Sequence, residues 1–188
     1  MGYKYLIIET NGKTLDFRND NRFILCDPVD GLNPVSAEYS SSKGANYDGE
    51  RMTNARLSIR TLTLRIKVLE PVDENRHALH SFFMSKKKVR VYYYSPSLNA
   101  YIDGYVEGVS DQQFYRDDLI VISIRCFSPY FIENTKSIIS YNTVSYGFHF
   151  PFSITVPVPL GSLSSTDHQS VLNKGTEDVG CTVRIKAI

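Results

Sequence analysis

The chain has 188 residues, with 21 Lys and Arg against 20 Asp and Glu. It is long enough to bury a real core and too evenly charged for a strongly basic nucleic-acid binder or an acidic tail. Its three cysteines, Cys26, Cys126 and Cys181, are scattered and lack any Cys-x-x-Cys spacing, which speaks against a disulfide framework or a structural zinc site and for buried thiols in a reducing compartment.

The apolar stretch before Glu9 is too short for a secretory signal or a membrane span, so neither export nor membrane insertion is expected. Thirteen Tyr and ten Phe, mixed with Val and Ile, suit strands. Residues 3–9 read as a strand, Asn11-Gly12 as a two-residue hairpin turn, and residues 13–17 as the returning strand. Residues 22–26 make another short strand, stopped by Asp27-Pro28 and the turn-rich sequence that follows. Residues 35–39 read as extended and 40–47 as a polar loop.

The stretch 44–69 draws most notice. A loop containing Asp48-Gly49 runs into a long alternating strand in which Leu57 and Ile59 are out of step with Leu62, Leu64, Ile66 and Val68. Side chains on a strand alternate with period 2, so one buried face requires an extra residue near Arg60 and Thr61, read as a β-bulge. The other face, with Ser58, Arg60, Thr63, Arg65 and Lys67, is wet or faces a partner. Pro71 ends the strand.

Residues 73–88 are expected to be the single helix, with Asp73 as N-cap, an apolar stripe of Leu79, Phe82 and Phe83, and Lys86, Lys87 and Lys88 at its carboxyl end. Strands are expected over 89–94, 101–109 and 119–127, closing a first domain near residue 130. Further on, Phe148, Phe150 and Phe152 begin an alternating run reaching Leu160, but Pro151, Pro157 and Pro159 confine it to an edge strand or an extended arm. Residues 161–169 read as a mobile Ser-rich loop. Residues 171–188 hold a short strand, a turn at 173–175 and a strand at 181–187. The expected class is thus mainly β: a β-sandwich-like antiparallel domain with one α-helix over 1–130, then a partial or reduced second β domain or arm over 131–188.

Chemistry is sparse. Asp103 and Glu107 are placed to share a strand face, yet no groove surrounds them. His77 and His80, three apart on the helix, lack a third ligand. The Gly44–Gly49 loop has neither phosphate-loop nor EF-hand spacing. No catalytic, cofactor or metal site is expected.

The order of these parts resembles the distal tail proteins of siphophages that infect Gram-positive hosts. The resemblance rests on the first hairpin, the Gly-Leu-x-Pro turn from Gly31 to Pro34, the loop from Gly44 to Gly49, and the strand that begins at Arg60. It extends to the lone helix with Leu79 and Phe82, the Ser-Pro-Tyr-Phe sequence ending at Phe131, and the turn from Asn173 to Gly175. It implies a non-enzymatic virion protein without a cofactor, six copies of which form a ring at the tail tip, assembled in the bacterial host cytoplasm. The implied partners are further copies of itself, the major tail tube protein, and tail-tip or baseplate adsorption proteins, with no sequence-specific nucleic acid and no membrane. The family's second domain is galectin-like and holds adsorption proteins; here the chain ends at Ile188, so that domain is expected to be incomplete or reduced.

Candidate subunit-interface residues are Asp48, Gly49, Arg60, Arg65, Phe148, Phe150 and Phe152. The alternative reading is a monomeric carbohydrate-binding β-sandwich with Tyr92, Tyr94 and Tyr101 as a stacking platform.

Overall fold

A computed structural model describes residues 4–45, 48–111, 118–134, 142–146, 161–165, 170, 172–173, 175–178, 180 and 182. The chain divides into two compact units, Met1–Thr135 and Lys136–Ile188. In the first, strands β1 (Tyr5–Thr10) and β2 (Lys13–Asp16) form the expected hairpin, with Asn11 and Gly12 both at positive φ, 47° and 75°, as a tight primed turn requires. β3 (Phe23–Asp30) follows, then the pair β4 (Ala37–Ser42) and β5 (Arg51–Leu57), then β6 (Arg60–Val68). Helix α1 (Val72–Phe82) leads to β7 (Lys88–Tyr94), β8 (Asn99–Asp111), β9 (Leu119–Cys126) and the two-residue β10 (Ile132–Glu133).

One antiparallel sheet runs β2-β1-β7-β8-β9-β6-β3, with β10 added to β8. Its two edges, β2 and β3, are consecutive in the chain. Six strand spacings of about 4.8 Å would put them roughly 29 Å apart in a flat sheet. Seven fully extended links from Asp16 to Phe23 span only roughly 25 Å. The link is not even extended, since the N–H groups of Asn19 and Asp20 both donate to the Asp16 carbonyl. The sheet therefore curls on itself. Its concave face buries Leu6, Ile8, Leu62, Leu64, Ile66, Val89, Val91 and the isoleucines of β9 in one core with Leu79 of the helix and Phe83 just after it.

Three expectations are corrected here. α1 stops at Phe82, and Lys86, Lys87 and Lys88 lie beyond it: Lys86 turns through φ 68°, the backbones of Lys86 and Lys87 pair with Val106, and Lys88 opens β7. The stripe ends at Phe83, so the chain must turn back to the sheet. Asp73 lies in the first turn, and Pro71 holds the N-cap position. β3 continues through Pro28, which is tolerated because it falls where the register against β6 shifts, between Cys26 and Asp30, and the ladder is already interrupted.

Cys126 is buried in this core, and burial pushes its thiol up to about 11. At pH 8 the folded protein is expected to alkylate at the half-buried Cys26 while Cys126 stays unmodified, read by peptide mass spectrometry. Rapid labelling of Cys126 without unfolding would contradict its place in the core.

In the second unit, β11 (Asn142–Tyr146) pairs antiparallel with β12 (Gly161–Ser165). The start of the supposed Ser-rich loop is thus a strand. The run 148–160, with Phe148, Phe150 and Phe152, and the expected strand at 181–187, apart from Thr182, lie outside the described residues.

Candidate functional site

The expected bulge at Arg60 and Thr61 is not what breaks the phase of the long strand. The chain leaves one sheet at Leu57 and enters another at Arg60: β5 pairs only with β4, β6 with β3 and β9. The β4–β5 ribbon stands off the main sheet. Every residue of β5 is exposed, as are all of β4 except Ala37.

Residues directly opposite in an antiparallel pair share a face. Ala37 faces Leu57, Tyr39 faces Ala55, and Ser41 faces Met52, so one side of the ribbon is apolar. The opposite side carries Glu38 against Arg56, joined by an ion pair at 2.7 Å, and Ser40 against Asn54. Tyr39 is 68% exposed, Met52 62% and Leu57 39%. A two-stranded ribbon with a bare apolar face is marginal in water by itself. The ribbon does contain a bulge: Ser40 and Ser41 oppose Asn54 and Met52, leaving Thr53 as the extra residue, its hydroxyl donating to the Ser40 carbonyl at 2.9 Å.

The root of the ribbon is rigid. Arg60 is only 6% exposed and turns toward the interior with Leu62 and Leu64, rather than outward with Arg65. Its guanidinium donates to the carbonyls of Gly31, Asn33 (2.6 Å) and Pro129 (2.8 Å), and lies 4.9 Å from the Phe131 ring. Burial lowers its pKa. Gly31 sits at φ +88° with its backbone against Thr61 and Leu62. One cation thus ties the turn that feeds β4 to the segment that follows β9.

On the convex face of the main sheet, tyrosines form a ladder. Tyr5 and Tyr94 stack at 4.6 Å, Tyr94 and Tyr92 at 6.4 Å, and Tyr92 meets Tyr101 at 6.0 Å. The Arg18 guanidinium lies 3.7 Å over Tyr5, and that of Arg90 lies 4.3 Å over Tyr101. Guanidiniums thus cover one face of the ring at each end of the ladder.

The carboxylates that share the β8 face are each held by an arginine: Asp103 by Arg90 at 2.6 and 2.9 Å, Glu107 by Arg125 at 3.0 Å. Hydrogen bonding to Arg90 holds Asp103 below its ordinary value of 3.8 despite the opposing effect of burial. A depressed folded-state pKa contributes stability above the unfolded value and loses it as pH falls through the folded one. Asp103→Asn is therefore expected to be less stable than wild type at pH 7, the difference closing as pH drops below 3.8 in acid titrations followed by circular dichroism. A pH-independent difference would rule out the ion pair as its source.

His80 Nε2 lies 3.2 Å from Asp111, whose same oxygen also faces Arg76 Nε at 3.2 Å. Among the described residues no cluster of three ligand-type side chains occurs.

Of the candidate interface residues, Asp48 and Gly49 are exposed at the ribbon tip, Gly49 with φ 95°. Arg65 lies on the outer face of β6, paired with Asp30 at 2.9 Å. Arg60 is the internal clamp just described, while Phe148, Phe150 and Phe152 are outside the described residues. Missing from the expected set are the ribbon's own apolar residues, Tyr39, Met52 and Leu57.

No family model and no curated protein matches the chain. Among solved structures it is similar to the Dit protein of phage SPP1, described as a paradigm of the hub adsorption apparatus in phages that infect Gram-positive hosts. The identity is 17% and the TM-score 0.53, over 76% of this chain and 55% of that one. A chain of the phage P2 baseplate in its activated conformation gives 17% identity and a TM-score of 0.48, over 76% and 47%. The chain spans about half the length of these proteins. The likeness to the first is one of fold.

Proposed function

We propose that this protein is a structural component of a phage tail tip, non-enzymatic and without a cofactor, in which six copies close into a ring. The ring would join the tail tube to baseplate or tip adsorption proteins, after assembly in the bacterial host cytoplasm, and the second unit would be the start of a galectin-like domain that holds those adsorption proteins. The shared hub fold supports the class, and the β4–β5 ribbon carries the argument for assembly: an exposed apolar face on a rigid root needs a surface to cover it. A contact between a protruding element and a different patch on the next copy is heterologous, and such contacts close into rings when the rotation allows. Asp48 and Gly49 at the tip, Arg65 on β6, and Phe148, Phe150 and Phe152 remain proposed contacts; Arg60 enters as the residue that aims the ribbon. The carbohydrate reading is the less favoured one, because Tyr92 lies against both Tyr94 and Tyr101 and the Arg90 guanidinium covers the Tyr101 ring.

The test is a triple variant, Tyr39→Ser, Met52→Ser and Leu57→Ser, imaged by negative stain beside wild type. All three side chains are exposed, so each substitution is expected to alter the stability of the first unit by no more than about 0.5 kcal/mol while rings disappear. Normal rings from the variant would refute the ribbon as the assembly element.

A further inference from the structure

The curled sheet does not close. In the β1–β2 hairpin register, the even-numbered residues of β1 direct their N–H and C=O groups toward β2, but β2 reaches only as far as Ile7. Among the described residues, the backbone groups of Lys4 therefore have no strand beside them. On β3, Ile24 and Cys26 exchange bonds with β6, since Val68 turns its N–H to Asp118 on the β9 side, and Phe23 and Leu25 direct theirs outward. These two edges and the β2–β3 link, through Phe17, Arg18, Asp20 and Asn21, line one groove of about 580 Å³. Unpaired strand edges are templates for another strand.

We propose that this seam is an acceptor site for the β4–β5 ribbon of a neighbouring copy, joined by main-chain pairing in the manner of strand addition. The inference rests on the ring reading above and names the surface that the ribbon covers. Donor and acceptor fit in three respects. The ribbon has open outer edges, since among the described residues each of its strands pairs only with the other. Its apolar side offers Tyr39 and Met52, and the seam offers Ile24, which is 47% exposed. Charges correspond as well: Arg51 on β5 and Asp27 on the groove wall form no ion pair among the described residues, nor do Asp48 at the tip and Lys4 at the groove. Because one chain carries both parts on different surfaces, each copy gives a ribbon and receives one.

A photo-crosslinking residue in place of Tyr39 tests this in assembled protein made from equal parts of isotopically heavy and light chains. Heavy–light links from position 39 to residues 4–6 or 23–27 are expected, and Leu25→Pro, which deletes an N–H facing the groove, is expected to cut their yield by about ten-fold or more. Rings whose links fall elsewhere would overturn the seam as acceptor while leaving the ring intact. Absence of both rings and intermolecular links would overturn the ring reading itself, and the seam proposal with it.

Discussion

Replacing Gly31 by Ala is expected to destabilise the first unit by about 3–5 kcal/mol and to lower its melting temperature by about 10–20 °C. Two independent costs add. At φ +88° an L side chain pays for a left-handed backbone, about 1–3 kcal/mol. The added Cβ would also run into the Thr61 carbonyl oxygen and stand 3.1 Å from the Leu62 Cα, both backbone atoms in a core strand. Neither can yield as a flexible side chain would. Gly12 provides the control: it too has positive φ, 75°, but nothing lies within 4 Å, so Gly12→Ala pays only the conformational cost, about 1 kcal/mol. Thermal melts by circular dichroism compare the two. Equal losses would show that the Gly31 turn does not pack against β6.

The second large effect is expected at Arg60. Arg60→Met keeps much of the stem's volume but leaves the carbonyls of Gly31, Asn33 and Pro129 without their shared donor, and it removes the cation beside Phe131. Buried acceptors that lose a charged partner cost about 1–3 kcal/mol each, and incomplete rehydration of three suggests about 3–5 kcal/mol in all. Arg60→Lys is expected to fall between, since one ammonium lacks the planar fork that reaches both sides. Hydrogen exchange locates the effect: in Arg60→Met the amides of residues 31–35 and 129–133 are expected to exchange faster together. Loss at only one of these segments would mean that the guanidinium does not bridge them.

The sequence made some elements legible and concealed others for identifiable reasons. The Asn11-Gly12 hairpin was plain because positive φ at two successive positions leaves few residue choices. The alternation of β9 and of Leu62 to Val68 showed the core directly, because each strand buries one face. The break at Ser58 and Ile59 was misread because a period of 2 records a change of phase without revealing whether the strand bulges or the chain changes sheets. The apolar face of the ribbon was concealed by the extra residue, Thr53: Met52 is even-numbered, Ala55 and Leu57 are odd, and their common side emerges only from pairing with β4. Arg60 looked like a surface cation because the carbonyls that neutralise its burial come from positions 31, 33 and 129, far away in sequence. Lys86, Lys87 and Lys88 imitated a helix terminus although their backbone belongs to the turn into β7.

Native mass measured across a concentration series tests the central claim, that the ribbon builds a closed ring. Wild type is expected to populate a discrete species of about 128 kDa, six times the 21.4 kDa chain, while the Tyr39, Met52 and Leu57 serine variant stays at the mass of one chain. Wild-type protein that remains at 21.4 kDa up to high concentration, or that forms open-ended polymers of no fixed size, would contradict it.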